Sequence, residues 1–90
     1  MLIKPLNTKW YIFGSYLHSD SPSDIDLLVV YDPLEVHPKD VTKHCKQLFD
    51  TIEKAISLKV HSTILTCSEE RESEFVERSK ALPLEKVLTL

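Results

Sequence analysis

The chain has 90 residues, room for one domain over 1–90 at roughly 100–200 residues per domain. Its 42% hydrophobic and 28% charged content excludes a disordered chain, and a single glycine excludes collagen-like and Gly-rich linker sequences. Eleven Lys+Arg against 14 Asp+Glu give a net charge of −3, which argues against a nucleic-acid coat because phosphate binding favours a basic surface.

Trp10-Tyr11-Ile12-Phe13 is an aromatic and β-branched run that stops at Gly14, and it predicts a first strand. Ser15 to Pro22 is polar and turn-rich. Ile25-Asp26-Leu27-Leu28-Val29-Val30-Tyr31 is the clearest strand. Beyond Asp26 it is apolar on both faces, which predicts a central strand covered on both sides. Asp32-Pro33 ends it. A loop through Pro38 leads to a long helix over Lys39 to Ser57, with Val41, Cys45, Leu48, Phe49, Ile52, Ala55 and Ile56 as its apolar stripe. Lys39, Lys43, Lys46 and Lys54 fall on other faces and read as a solvated surface. Leu58 to Leu65 predicts a third strand. Thr66-Cys67-Ser68-Glu69 has the T-x-x-E form of a capping box, opening a helix that runs to Lys80. Pro83 breaks that helix, and Leu84 to Leu90 predicts a short final strand. The expected fold class is α+β, a small mixed sheet with helices packed on it and a helical crossover between the second and third strands.

Cys45 and Cys67 fit no C-x-x-C spacing and make no disulfide framework. Pro5, Asn7, Thr8 and Lys9 interrupt the N-terminal apolar run, so neither a signal peptide nor a membrane span is expected, and the expected location is the cytoplasm. His18, His37 and His44 share no ligand spacing, so no zinc site is expected. A core of this size leaves no room for a deep enclosed pocket, so a partner is expected to complete any site.

The chemistry concentrates between Phe13 and Val30. Side chains alternate across a strand, so Asp24 and Asp26 point the same way, with Cα atoms roughly 6.5–7 Å apart. Two such acids at a strand start are, taken alone, ordinary solvent-facing residues. Paired carboxylates in a partly dry site also suit Mg²⁺ or Mn²⁺, hard cations that take phosphate oxygens as well. Upstream, Gly14 lets backbone N–H groups approach a phosphate closely, and Ser15 adds a hydroxyl. A phosphate cradle joined to a metal-binding pair is the equipment of phosphoryl or nucleotidyl transfer.

Gly14-Ser15, seven intervening residues, then Ser23-Asp24-Ile25-Asp26-Leu27-Leu28-Val29 resembles the signature of the DNA polymerase β-like nucleotidyltransferase superfamily, most of all its small bacterial branch, the minimal nucleotidyltransferases. The resemblance implies Mg²⁺-dependent transfer of a nucleoside monophosphate from an NTP, ATP first among them, to a hydroxyl acceptor. It places Gly14 and Ser15 on the triphosphate and Asp24 and Asp26 on the metal. It also implies pairing with a helical HEPN-type protein in a toxin–antitoxin module, this chain being the antitoxin and a partner side chain the acceptor. The family supplies a third carboxylate from a following strand. Here that strand is Lys59 to Leu65, it contains no acid, and His61 takes the matching position, where an imidazole can accept a proton. The loop after Gly-Ser carries Tyr16, Leu17 and His18 where the family often has an arginine. A second expectation follows from these departures: a catalytically degraded domain that serves as a partner-binding or nucleotide-sensing module.

Overall fold

The computed structural model describes residues 7–88. The apolar runs ending at Phe13, Tyr31 and Leu65 form strands, and the stripe from Val41 to Ile56 forms the long helix. Strand β1 (Thr8–Phe13) pairs antiparallel with β2 (Asp24–Tyr31). Helix α1 (Pro38–Ile56) then carries the chain across to β3 (Lys59–Thr66), which lies parallel to β2. Helices α2 (Cys67–Ser73) and α3 (Phe75–Ser79) follow, then β4 (Leu82–Pro83), antiparallel to β1, and α4 (Leu84–Val87). The sheet order is β3-β2-β1-β4, so the fold class is α+β with a mixed sheet and β2 inside it, as the apolar run predicts.

Helix α1 begins and ends on local chemistry. His37 Nδ1 accepts from the Lys39 N–H at 3.1 Å, Pro38 stands in the first turn, and Ser57 closes the helix in the left-handed region at φ 57°. Val41, Cys45, Leu48 and Ile52 are buried against Trp10, Ile12, Ile25, Leu27, Val29 and Tyr31 on one face of the sheet. Phe49 meets Trp10 with ring centroids 5.2 Å apart. Ala55, assigned to the stripe by spacing, is exposed. The stripe instead finishes through Ile52 and half-buried Ile56, one helical turn apart.

The other face of β2 carries Asp24, Asp26, Leu28 and Val30. Leu28 and Val30 are buried there, which explains why the strand alternates only at its start.

Two elements differ from the sequence expectation. The helix expected from the capping box to Lys80 is two helices. The box itself forms, with Thr66 Oγ1 accepting from the Glu69 N–H at 3.1 Å and Glu69 Oε1 accepting from the Thr66 N–H at 2.9 Å. Glu74 then turns left-handed at φ 53°, and Glu70 Oε2 accepts the Val76 N–H that the break releases. The break lets Phe75 meet Phe13 edge-on, centroids 5.0 Å apart. The final strand expected over Leu84 to Leu90 is instead the two-residue β4 followed by the helical turn α4, and residues 89 and 90 lie outside those described. Leu84 and Leu88, four residues apart, both bury in the core beneath α1, as residues one helical turn apart do.

β3 lies at the edge of the sheet, and carboxylates occupy two of its N–H groups there. The Val60 N–H donates to Glu53 Oε1 at 2.8 Å, and the Thr66 N–H is the one held by Glu69. Both cysteines are free. Among the described residues no helix is long and apolar enough to cross a membrane.

Ile52 is fully buried between helix and sheet, so Ile52→Ala should cost about 2–5 kcal/mol, read as a lower urea midpoint with an unchanged slope. Burial pushes the Cys45 thiol from its ordinary value of 9.0 up to about 11. The folded chain then keeps that proton where the unfolded chain has lost it. This contribution is complete below pH 9.0 and disappears as pH rises through about 11. Stability measured across that window should fall more gently in Cys45→Ala than in the parent chain.

Candidate functional site

The site is built where β1 ends. Gly14 leaves the strand at φ +79°, a backbone region that side chains rarely adopt. The chain then winds through a short 3-10 helix, Gly14–Leu17, in which the Ser15 carbonyl accepts from the His18 and Ser19 N–H groups at 3.0 and 2.8 Å. The bend lies directly on Asp26. A Cβ at Gly14 would overlap Asp26 Oδ2 and stand 3.2 Å from its Cγ. The strand register brings this about, because Phe13, the residue before the glycine, pairs with Asp26.

Asp24 and Asp26 occupy one face of β2, opposite the buried Ile25 and Leu27. Asp24 is held from two sides. Ser23 Oγ donates to its Oδ2 at 3.4 Å, and His61 Nε2 stands 3.5 Å from its Oδ1. Parallel pairing sets Lys59 beside Asp24 and His61 beside Asp26, with paired side chains on one face. The imidazole at the position where the resemblance expects a third acid therefore faces the acid pair. Both side chains remain open to solvent, at 53% exposure for His61 and 40% for Asp24. Ser15 is exposed beside the bend.

Sequence reasoning passed over Lys59. It brings a positive charge to the start of β3, in register with Asp24. The signal was present in the strand's own first residue, but only the pairing register gives it a place. It also passed over the pairing of Phe13 with Phe75, in which Phe13 is the cross-strand partner of Asp26. Of the remaining histidines, His37 caps α1, His18 closes the 3-10 turn, and His18 and His44 are exposed.

Among the described residues no group of three or more His, Cys, Asp or Glu is placed to hold a metal ion. Two carboxylates on one face remain, and they fit a hard cation that arrives with phosphate oxygens and keeps several waters. They do not fit a cation held by protein ligands alone. No family model matches the chain, and neither does any curated protein or solved structure.

Gly14→Ala should lower stability by about 1–2 kcal/mol through its backbone angle alone, with a further loss from the overlap with Asp26. In a double-mutant cycle Asp26→Ala should recover the second part and not the first, since it removes the carboxylate while leaving φ unchanged. Denaturation midpoints of the four chains check this. Strict additivity would place the bend elsewhere.

Proposed function

We propose that the chain is a nucleotidyltransferase-like domain that transfers a nucleoside monophosphate from an NTP, most simply ATP, to a hydroxyl acceptor. The observation that carries this reading is the packing of the Gly14 bend on Asp26, with Asp24 on the same face and His61 Nε2 3.5 Å from Asp24 Oδ1. A glycine bend against an acid pair suits a polyphosphate and a cation arriving together.

In this reading the backbone at Gly14 and the Ser15 hydroxyl hold the triphosphate, while Asp24 and Asp26 hold Mg²⁺ or Mn²⁺. The metal supplies neutralisation of phosphate charge when bound. The acceptor oxygen forms a bond to the α-phosphorus, the bond from that phosphorus to the bridging oxygen breaks, and pyrophosphate leaves. His61 takes the acceptor's proton as general base. Lys59 adds a positive charge beside the acids.

The site is open on one side, which supports an acceptor delivered by a second protein. A helical HEPN-type partner in a toxin–antitoxin module, in the cytoplasm, is the arrangement the sequence resemblance favours. The second reading, a degraded fold that binds a partner or senses nucleotide, is favoured by one observation: β3 offers His61 where a third carboxylate is expected.

The two readings part in a transfer assay with ATP labelled at the α-phosphate and Mg²⁺ or Mn²⁺, run with and without a helical partner protein. The enzyme reading expects labelled acceptor, its loss in Asp24→Asn and Asp26→Asn, and a fall of about 10²–10⁴-fold in His61→Ala. Absence of label, with a partner complex indifferent to the acid substitutions, selects the scaffold. His61→Asp should tighten Mg²⁺–ATP binding by adding the missing carboxylate. Saturation at about 100 times Kd should raise stability by about 2.7 kcal/mol.

A further inference from the structure

The face of the sheet that bears the acid pair carries a second concavity at its opposite end. A cleft of about 470 Å³ lies between α2, the loop after β2 and the start of β1, within the size range of small-molecule sites. Val30 is on its wall, four residues along β2 from Asp26, or about 13 Å of strand. Tyr11 and Tyr31 add aromatic surface.

The charges in this cleft are of both signs. Lys9 reaches it from β1 and Arg71 from α2, and among the described residues neither has a carboxylate within ion-pair distance. Asp32, Glu35 and Glu70 also line it. Two of these acids are fixed in place by backbone bonds that use a single oxygen each. Asp32 Oδ1 accepts from the Leu34 N–H at 2.9 Å, and Glu70 Oε2 accepts from the Val76 N–H at 3.1 Å. Among the described residues the second oxygen of each has no hydrogen-bond donor. Cations that have no ion-pair partner among the described residues, beside positioned carboxylates, do not match a simple anion, which the acids would repel, nor a simple cation, which Lys9 and Arg71 would repel.

We propose that this cleft binds a small zwitterion with an apolar body, of the class of a free amino acid or a short peptide. The carboxylate lies toward Lys9 and Arg71, the ammonium toward Asp32, Glu35 and Glu70, and the side chain against Tyr11 and Val30. The binding is independent of the acid pair at Asp24 and Asp26.

The test is an NMR titration of the full chain with L-phenylalanine, N-acetyl-L-phenylalanine and L-phenylalaninamide. L-Phenylalanine should produce saturable shifts at the Lys9, Tyr11 and Arg71 backbone amides. Each capped form lacks one charge and should bind at least about tenfold more weakly. Arg71→Gln and Glu35→Gln should each weaken L-phenylalanine by a similar factor with the rest of the spectrum intact, while Asp24→Asn should leave it unchanged. Equal binding of a capped form, or no saturable shift up to about 10 mM of the free amino acid, would overturn the proposal. Neither result bears on nucleotidyl transfer, which the labelling experiment decides separately.

Discussion

The contact between Gly14 and Asp26 organises this molecule. A backbone at φ +79° with no Cβ lets the turn after β1 lie on a carboxylate of the neighbouring strand. Any larger residue at 14 would displace either the turn or the acid. Because Phe13 and Asp26 are cross-strand partners, the register of one antiparallel pair fixes turn and carboxylate together. Both are therefore placed by the most regular part of the fold, not by a loop that must find its own conformation.

The sheet separates two tasks. One face is sealed by α1 through Val41, Cys45, Leu48 and Ile52, and that apolar contact holds the sheet together. The second face is covered only in part, by α2, α3 and the Phe13–Phe75 pair, which leaves polar ground at both of its ends. At one end stand Asp24, Asp26, Lys59 and His61; at the other, the cleft with charges of both signs. The rigid α1 face allows the second face to carry exposed charge without loss of the fold.

Much of this could be read directly from the residues. The apolar run of β2 announces a covered central strand, and the T-x-x-E sequence forms the capping box it suggests, with both hydrogen bonds present. Period-2 alternation put Asp24 and Asp26 on one face. Elements decided by distant packing were not legible. Nothing local marks Glu74 as a left-handed break; the gain comes from Phe75 reaching Phe13, some sixty residues away in sequence. The apolar C-terminus suits a strand or a helix equally, because Leu84 and Leu88, four residues apart, share one face in either. At the candidate site, His61 was visible as the residue replacing an acid, but its position beside Asp24 depends on the parallel register of β3. The same register supplies Lys59, whose neighbours no one-dimensional pattern could name.

The carboxylates of Glu53 and Glu69 on β3 have an effect beyond the helix and strand they join. A border strand with vacant amides is a template on which foreign chains can stack. Here negative side chains already hold the amides of Val60 and Thr66, near the two ends of that border. An incoming strand would have to evict both carboxylates and strip their water before it could bond along the whole length. The sheet thus terminates on this border by electrostatic refusal.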